Sequence, residues 1–176
     1  LESKENIDQP DNTRAMVLWG HAPNSQTRQK EMKTAMEKLD MLVVVDPYPT
    51  VSAVLQDRED GVYLLPATTQ FETRGSVTAS NRSLQWRDKV VEPLFESKPE
   101  HWIMARVAEK FGFHDKIFRN ISMDEGDEPN IEDITREFNR GMWTIGYTGQ
   151  SPERIKMHMA NQHTFDRTSL RAVGGP

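Results

Sequence analysis

Residue types that carry out covalent or redox chemistry are scarce in this sequence. Its 176 residues include no cysteine, which excludes a thiolate nucleophile, a disulfide and an iron–sulfur cluster within the chain. No two of the five histidines stand four residues apart, the spacing that places two metal ligands on one helix face. A Ser-His-Asp hydrolase has no support either, because the sequence lacks a Gly-x-Ser-x-Gly nucleophile elbow. We therefore predict no catalytic residue and no metal ligand in this chain.

Two positions instead indicate ligand binding through polar and backbone groups. Gly20 follows the apolar run of residues 15–19, and Asp46 follows the apolar run of residues 41–45. In open α/β sheets, ligands bind at the carboxyl ends of the strands. The loop after Gly20 also leads into a helix, whose first turn is a binding place for phosphate or a nucleotide. A plain structural turn is an equal alternative, because Gly20-His21-Ala22-Pro23 is neither a dinucleotide fingerprint nor a P-loop.

The elements that would hold these residues form a β-α-β unit. Met32, Ala35, Met36 and Leu39 have the spacing of one helix face, which predicts a helix over residues 26–39 capped by Asn24 or Ser25. The flanking runs at 15–19 and 41–45 are apolar without alternation, as in buried parallel strands. Two strands joined by a helix are almost always parallel and right-handed.

After this unit the chain is predicted to continue with further helices and strands. We predict a short helix over 51–56 capped by Thr50, a strand over 62–65 and a long irregular loop over 68–85 with at most one short strand. Ser97 and Glu100 match a capping box for a helix that ends at Phe111. This helix should bury one apolar side, made of Trp102, Ile103, Val107 and Phe111.

The last third of the chain is predicted to hold an acidic loop and two helices. The loop covers residues 123–130, Asn130 caps the first helix, and Ser151-Pro152 opens the second. The predicted fold class is α/β, a three-layer parallel sheet flanked by helices, Rossmann-like and doubly wound. Residues 1–14 are predicted to be a flexible N-terminal segment, and residues 15–176 a single α/β domain.

The composition of the sequence argues against two classes of partner, nucleic acid and the membrane interior. The formal net charge of −5 argues against nucleic acid, whose phosphates require clustered Lys and Arg. No apolar run approaches the roughly 20 residues that cross a bilayer, so we expect no direct membrane insertion. The first residue is not methionine, and we therefore interpret the chain as a processed product or an excised segment.

An ordered series of motifs extends over residues 15–176. An apolar strand and the loop Gly20-x-x-Pro23 come first, then Val43-Val44-Val45-Asp46-Pro47, followed by Pro66, Glu72-x-x-Gly75, Asn81-Arg82 and Gln85. The series resembles the second nucleotide-binding domain of the molybdopterin oxidoreductases. Residues 71–86, 143–153, 161–165 and 170–176 resemble the formate dehydrogenase branch of that family, closest to membrane-linked or periplasmic large subunits.

The resemblance implies a set of cofactor-binding positions. Besides Gly20, the loop residue that usually touches the guanine nucleotide is Ala22 here, and the guanine- or ribose-binding pair at the strand end is Val45 and Asp46. Asp46 can accept hydrogen bonds from guanine N–H groups or from a ribose diol. The remaining implied positions are Gln26, Thr73, which is often basic in relatives, and Glu100, which matches an acidic nucleotide contact.

Each of these assignments has a structural alternative. Ala22 and Thr73 lack the polar groups usual in the family, so affinity would come from backbone groups, Gln26 or other segments. Glu100 could only complete its capping box, and Asp46 could only begin the turn before Pro47.

The resemblance also implies a function for the larger protein. That parent would be a molybdenum or tungsten formate dehydrogenase that oxidises formate to carbon dioxide, and this fragment would help to bind a molybdopterin guanine dinucleotide. The implied partners are the remaining domains of the large subunit and an iron–sulfur electron-transfer subunit. The implied location of the parent is periplasmic, with the cytoplasm open.

The fragment alone is expected to be inactive and to hold no bound cofactor. One alternative is a stand-alone nucleotide-binding or interaction module of the same fold. Another keeps the family and changes the substrate, for example to nitrate.

Overall fold

Three short strands form one parallel sheet in the computed structural model. They are β1 (Ala15–Trp19), β2 (Met41–Asp46) and β3 (Val62–Pro66), in the order β1-β2-β3. β2 is the central strand and pairs along both of its edges, which accounts for its unbroken apolar sequence. The predicted α/β class, with a parallel sheet and flanking helices, is confirmed.

The structure describes residues 13–21, 23, 26–54, 58–80, 83–141 and 149–161. The chain divides into two compact units. The first, which we call the sheet unit, is Leu1–Thr69 with Pro93–Pro99; the second, the helix unit, is Gln70–Glu92 with Glu100–Pro176. Residues 1–12 of the predicted N-terminal segment lie outside the described part, as do 81–82, 143–148, 162–165 and 170–176 of the resembling stretches. A single domain over 15–176 stays a prediction.

The core of the sheet unit lies between the sheet and helix α1 (Gln29–Met36). Its buried members come from both elements and from the turn after the helix, namely Leu18, Met36, Leu39, Leu42 and Val44. Arg58 holds that turn, because its guanidinium donates hydrogen bonds to the carbonyl oxygens of Met36 (3.0 Å), Leu39 and Asp40 (3.2 Å).

Helix α1 is shorter than the predicted span of residues 26–39. It begins at Gln29 because Arg28 adopts a left-handed conformation, with φ of +60°, and makes no side-chain cap. The predicted caps Asn24 and Ser25 lie outside the described residues. Helix α2 covers Val51–Val54, and the predicted end of this helix also falls outside the described part.

The helix unit contains a β-hairpin where we predicted an irregular loop. Strand β4 (Gly75–Thr78) pairs antiparallel with β5 (Leu84–Arg87). The sequence of this hairpin is mostly polar, because many of its side chains are exposed to solvent. A polar sequence without clear alternation does not predict strands. The inward-facing side of the hairpin contacts residues that are distant in sequence. The Ser76 hydroxyl, for example, lies 3.2 Å from the hydroxyl of buried Thr135.

Helix α3 (Glu100–Phe111) corrects two predictions. The helix begins only at Glu100, so Ser97 does not occupy the N-cap position that the predicted capping box requires, and its hydroxyl donates to the Leu94 carbonyl oxygen at 2.6 Å. Ile103 is buried as predicted, but Ala105 and Ala108 are the other buried residues, while Phe111 is 73% exposed. The small residues face inward because Phe118, which follows α4 (His114–Ile117), packs against both alanines.

The remaining elements mostly follow the sequence. The predicted acidic loop instead forms two short antiparallel strands, β6 (Met123–Asp124) and β7 (Glu128–Pro129). Asn130 caps α5 (Ile131–Gly141) as predicted, its side-chain oxygen accepting the N–H groups of Glu132 and Asp133 at 3.1 and 3.0 Å. Ser151 likewise caps α6 (Pro152–Ala160) through the Arg154 N–H.

Candidate functional site

The carboxyl ends of β1 and β2 lie side by side. Gly20, directly after β1, donates its N–H to the Val45 carbonyl oxygen at 2.9 Å. Gly20 has a left-handed φ of +56°, and a Cβ added there would meet no atom within 4 Å among the described residues. The glycine therefore serves the backbone conformation, and no described atom lies where its Cβ would be.

The loop after Gly20 is attached to helix α2. The His21 carbonyl oxygen accepts a 2.8 Å hydrogen bond from the Ser52 hydroxyl, and Ser52 is fully buried. Gln26 is exposed, with its Nε2 atom 3.4 Å from the His21 Nε2 atom. Ala22, the third predicted loop position, lies outside the described residues. Gly20 and Gln26 thus flank one short loop in the sheet unit.

Val45 and Asp46 differ in what they offer to a ligand. The Val45 side chain is 1% exposed, so a ligand could not reach it. Asp46 is half-buried, and its Oδ1 atom accepts the Tyr48 N–H at 3.2 Å. No other donor reaches this carboxylate from the described residues, so its second oxygen is available. Asp46 therefore makes the turn before Pro47 and retains a hydrogen-bond acceptor.

A cleft opens at the carboxyl ends of β2 and β3, within the sheet unit. Its volume is about 290 Å³. The lining is mainly apolar, with two carboxylates, and consists of Val44, Asp46, Pro47, Tyr48, Pro49, Leu64, Leu65, Pro66 and Glu96. The volume is near the lower end of the range for small-molecule sites, about 300–1,000 Å³. The cleft therefore suits a small ligand or one part of a larger ligand.

Glu96 is the cleft residue that the sequence analysis missed. It reaches the cleft because residues 93–99 return to the sheet unit, where Ala67 and Lys98 form a parallel bridge. No motif marks Glu96 in the sequence, because its position depends on that distant pairing.

Thr73 and Glu100 belong to the helix unit. Thr73 is half-buried and precedes β4, while Glu100 is exposed and is the first residue of α3. An acidic residue in the first turn is favourable with the helix dipole, which agrees with a structural role for Glu100. Their predicted nucleotide contacts stay predictions.

Neither a metal-binding cluster nor a membrane-spanning helix occurs among the described residues. No three His, Asp or Glu side chains are grouped there closely enough to hold a metal ion. Among the helices that the structure describes, none has the length and apolar character needed to cross a bilayer.

The parallel sheet and the cleft at its carboxyl edge define an α/β protein with a candidate ligand site. Comparison with known sequences gives the family. Residues 2–110 match the family model for molybdopterin oxidoreductase. The chain belongs to the molybdopterin oxidoreductase family.

Several relatives are formate dehydrogenases by name. The chain is 31% identical to the F420-dependent formate dehydrogenase subunit alpha of Methanocaldococcus jannaschii over 83% of its own length and 20% of that protein. It is also 31% identical to a predicted formate dehydrogenase of Staphylococcus haemolyticus, over 72% of this chain and 13% of the relative. The chain thus spans a fifth or less of the length of these two relatives.

The family implies a molybdopterin cofactor, and the polar groups of the cleft limit which part of a ligand it could hold. Asp46 and Glu96 are hydrogen-bond acceptors, whereas no Lys, Arg or His stands among the described residues that line the cleft. Two carboxylates would repel a phosphate and accept the N–H and O–H donors of a nucleoside. The acceptors of the cleft therefore suit a ligand group that carries N–H or O–H donors.

Proposed function

We propose that this chain is the part of a formate dehydrogenase large subunit that holds the guanosine end of a molybdopterin guanine dinucleotide. The observation that carries the proposal is the cleft at the carboxyl ends of β2 and β3, with the available Asp46 oxygen at its edge. The family match to residues 2–110 includes the whole cleft. The parent enzyme would oxidise formate to carbon dioxide.

The residues of this chain contribute by binding and orientation. Asp46 accepts a hydrogen bond from the nucleoside, and the apolar side chains of Leu65 and Pro66 exclude water from its faces. Gly20 contributes its backbone at the end of β1, where no described atom lies within 4 Å of the position that a Cβ would take. The cofactor supplies the metal and dithiolene chemistry of the reaction, while the protein fixes where its reactive end lies.

The isolated chain provides a direct test of this binding role. We expect GMP to bind with a dissociation constant in the millimolar range, because a 290 Å³ cleft contacts only the nucleoside. Asp46→Asn should weaken GMP binding about tenfold, the effect expected when a charge-assisted hydrogen bond is lost. Two-dimensional NMR titration measures both constants.

Asp60→Asn is the matched control, because Asp60 is exposed in the sheet unit and does not line the cleft. It should bind GMP as the unsubstituted chain does. Equal affinity in Asp46→Asn and Asp60→Asn would remove Asp46 from the site. Absence of saturable GMP binding to the unsubstituted chain would contradict the proposed function.

A stand-alone binding module is the second candidate function. Ala22 and Thr73 favour it, since both replace polar or charged contacts that the family resemblance leads us to expect. The complete reading frame distinguishes the two functions. A formate dehydrogenase large subunit should encode cluster-binding cysteines upstream of this segment, and a stand-alone module should not.

The partners and location follow from the proposed parent enzyme. We propose that the remaining domains of the large subunit complete the cofactor site, and that an iron–sulfur subunit receives the electrons. The name of the Methanocaldococcus jannaschii relative, a subunit alpha, supports an enzyme of several subunits. A periplasmic location is part of the same proposal.

A further inference from the structure

We propose that the exposed apolar stripe of helix α3, made of Met104, Val107 and Phe111, binds the same stripe of a second copy of this chain. The two helices run antiparallel about a two-fold axis. This inference concerns the helix unit and goes beyond the binding role proposed for the sheet unit.

Helix α3 has apolar residues on more than one side. Its buried side consists of Ile103, Ala105 and Ala108. The three residues of the stripe are instead exposed, by 47% for Met104, 37% for Val107 and 73% for Phe111. A helix that is apolar on several sides is usually covered on each of them. The described residues leave the stripe uncovered, so it is available to another molecule.

The spacing within the stripe is that of a contact between two helices. Its residues stand at positions i, i+3 and i+7, as successive a and d residues of a coiled-coil seam do. The Phe111 ring is stacked on the Phe113 ring, with centroids 5.8 Å apart, which widens the apolar surface at the carboxyl end of the helix. Two seams of this kind can interlock their side chains.

The charges at the two ends of α3 favour a second copy in antiparallel orientation. Glu100 lies in the first turn of the helix and Lys110 in the last. In an antiparallel pair, Glu100 of each copy comes next to Lys110 of the other, and opposite ends of the helix dipoles also meet. A two-fold axis forms both ion pairs, because the same surface is used on each copy. A parallel pair would place like charges together.

The charges in the middle of α3 are compatible with this arrangement. Arg106 and Glu109 form an ion pair with each other at 3.0 Å, and neither is a position of the stripe. The register that joins Glu100 to Lys110 also places Met104 of one copy opposite Val107 of the other. Apolar and charged contacts therefore agree on one register.

The association should be weak, because a helix of 12 residues is only about 18 Å long. An interface of this length belongs with transient contacts, below about 1,200 Å². We expect a dissociation constant of about 0.1–0.5 mM. Sedimentation equilibrium of the full 176-residue chain measures this constant.

Charge reversal at the ends of α3 tests the antiparallel orientation. Glu100→Lys and Lys110→Glu should each weaken the dimer about tenfold, since each creates two like-charge pairs across the interface. The double variant Glu100→Lys/Lys110→Glu should recover the original dissociation constant within about threefold. Its charges are unfavourable at both ends of its own helix, so recovery reports pairing between the copies.

A substitution within the stripe tests the apolar contact. Phe111→Ser should weaken the dimer about tenfold, because it removes the most exposed side chain of the stripe. Val90→Ser is the matched control, because Val90 is 72% exposed in the helix unit and is not part of α3. Its dissociation constant should equal that of the unsubstituted chain.

Three results would overturn the proposal. The first is an unsubstituted chain that stays monomeric at about 1 mM, which would leave the stripe to a different partner. The second is a dimer that Phe111→Ser weakens no more than Val90→Ser does. The third is a double variant that associates no more tightly than the single charge reversals. Circular dichroism of each variant checks that the helices are retained.

Discussion

Gly61, just before β3, stands at a position where a side chain would destabilise the fold. A Cβ there would lie 2.4 Å from the Asp40 carbonyl oxygen, and its φ is +67°. Gly61→Ala should therefore lower the free energy of unfolding by roughly 2–4 kcal/mol, through steric overlap and backbone strain together. Urea denaturation followed by circular dichroism measures the loss.

Gly20→Ala separates these two causes. Gly20 has a similar left-handed φ of +56°, but its Cβ would meet no described atom within 4 Å. We expect a loss of only about 1 kcal/mol, from backbone strain alone. Equal losses for Gly20→Ala and Gly61→Ala would show that the contact with Asp40 is not the cause.

The sequence predicted which residues lie close together where their positions along neighbouring strands determine this. Asp46 and Gly20 end adjacent parallel strands, so their nearness follows from the β-α-β pattern. Glu96 could not be found in this way, since its place in the cleft requires the pairing of Lys98 with Ala67. For Val45 the sequence predicted the position at the strand end but not the accessibility, because the same strand buries its side chain.

At the scale of elements, the Asn130 cap of α5 allows a clean test. Its side-chain oxygen satisfies two N–H groups at the start of the helix. Asn130→Ala should destabilise the helix unit by about 1 kcal/mol, the usual cost of losing such a cap. Asn120→Ala, at an exposed turn position, should change stability by less than about 0.5 kcal/mol in the same thermal melts.

Acid should weaken the association of α5 with α6 through Glu153. A hydrogen bond from Arg136 of α5 is the main cause that lowers the pKa of Glu153 from 4.5 to about 2. A carboxylate whose pKa is lowered by folding stabilises the folded state at pH values above its pKa in the unfolded chain. For Glu153 this contribution is lost as the pH falls from about 4.5 to about 2. Hydrogen bonds from Ser122, the largest cause, likewise lower the pKa of Asp133.

Arg136→Met tests this explanation. The urea midpoint of the helix unit should fall at neutral pH, and its further decline between pH 4.5 and 2 should become shallower. Arg119→Met removes the same charge at an exposed position and serves as the control. A variant that loses stability with acid as steeply as the Arg119→Met control would contradict the role of Arg136.

Elements with strong local signals were predictable, and those that depend on tertiary pairing were not. Strands β1 and β2 and the caps Asn130 and Ser151 follow from apolar runs and capping chemistry. Hairpin β4–β5 was missed because its polar sequence is typical of a loop. Helix α1 was overestimated by three residues at each end, since the left-handed conformation of Arg28 has no sequence signature.

At the scale of the whole molecule, the chain is a small share of its relatives, spanning 20% of one and 13% of another. It contains no cysteine, so this chain supplies no thiolate ligand. We therefore expect the isolated chain to show no formate-dependent dye reduction, even with added cofactor. Turnover by the pure chain would contradict its assignment as a binding fragment.

The location of a bound nucleotide tests the central claim most directly. A crystal structure of this chain grown with millimolar GMP should show the guanosine in the cleft at the ends of β2 and β3. The free Asp46 oxygen should lie about 2.7–3.2 Å from a ligand donor. GMP bound at another surface, with the cleft empty and Asp46 bonded only to Tyr48, would contradict the account.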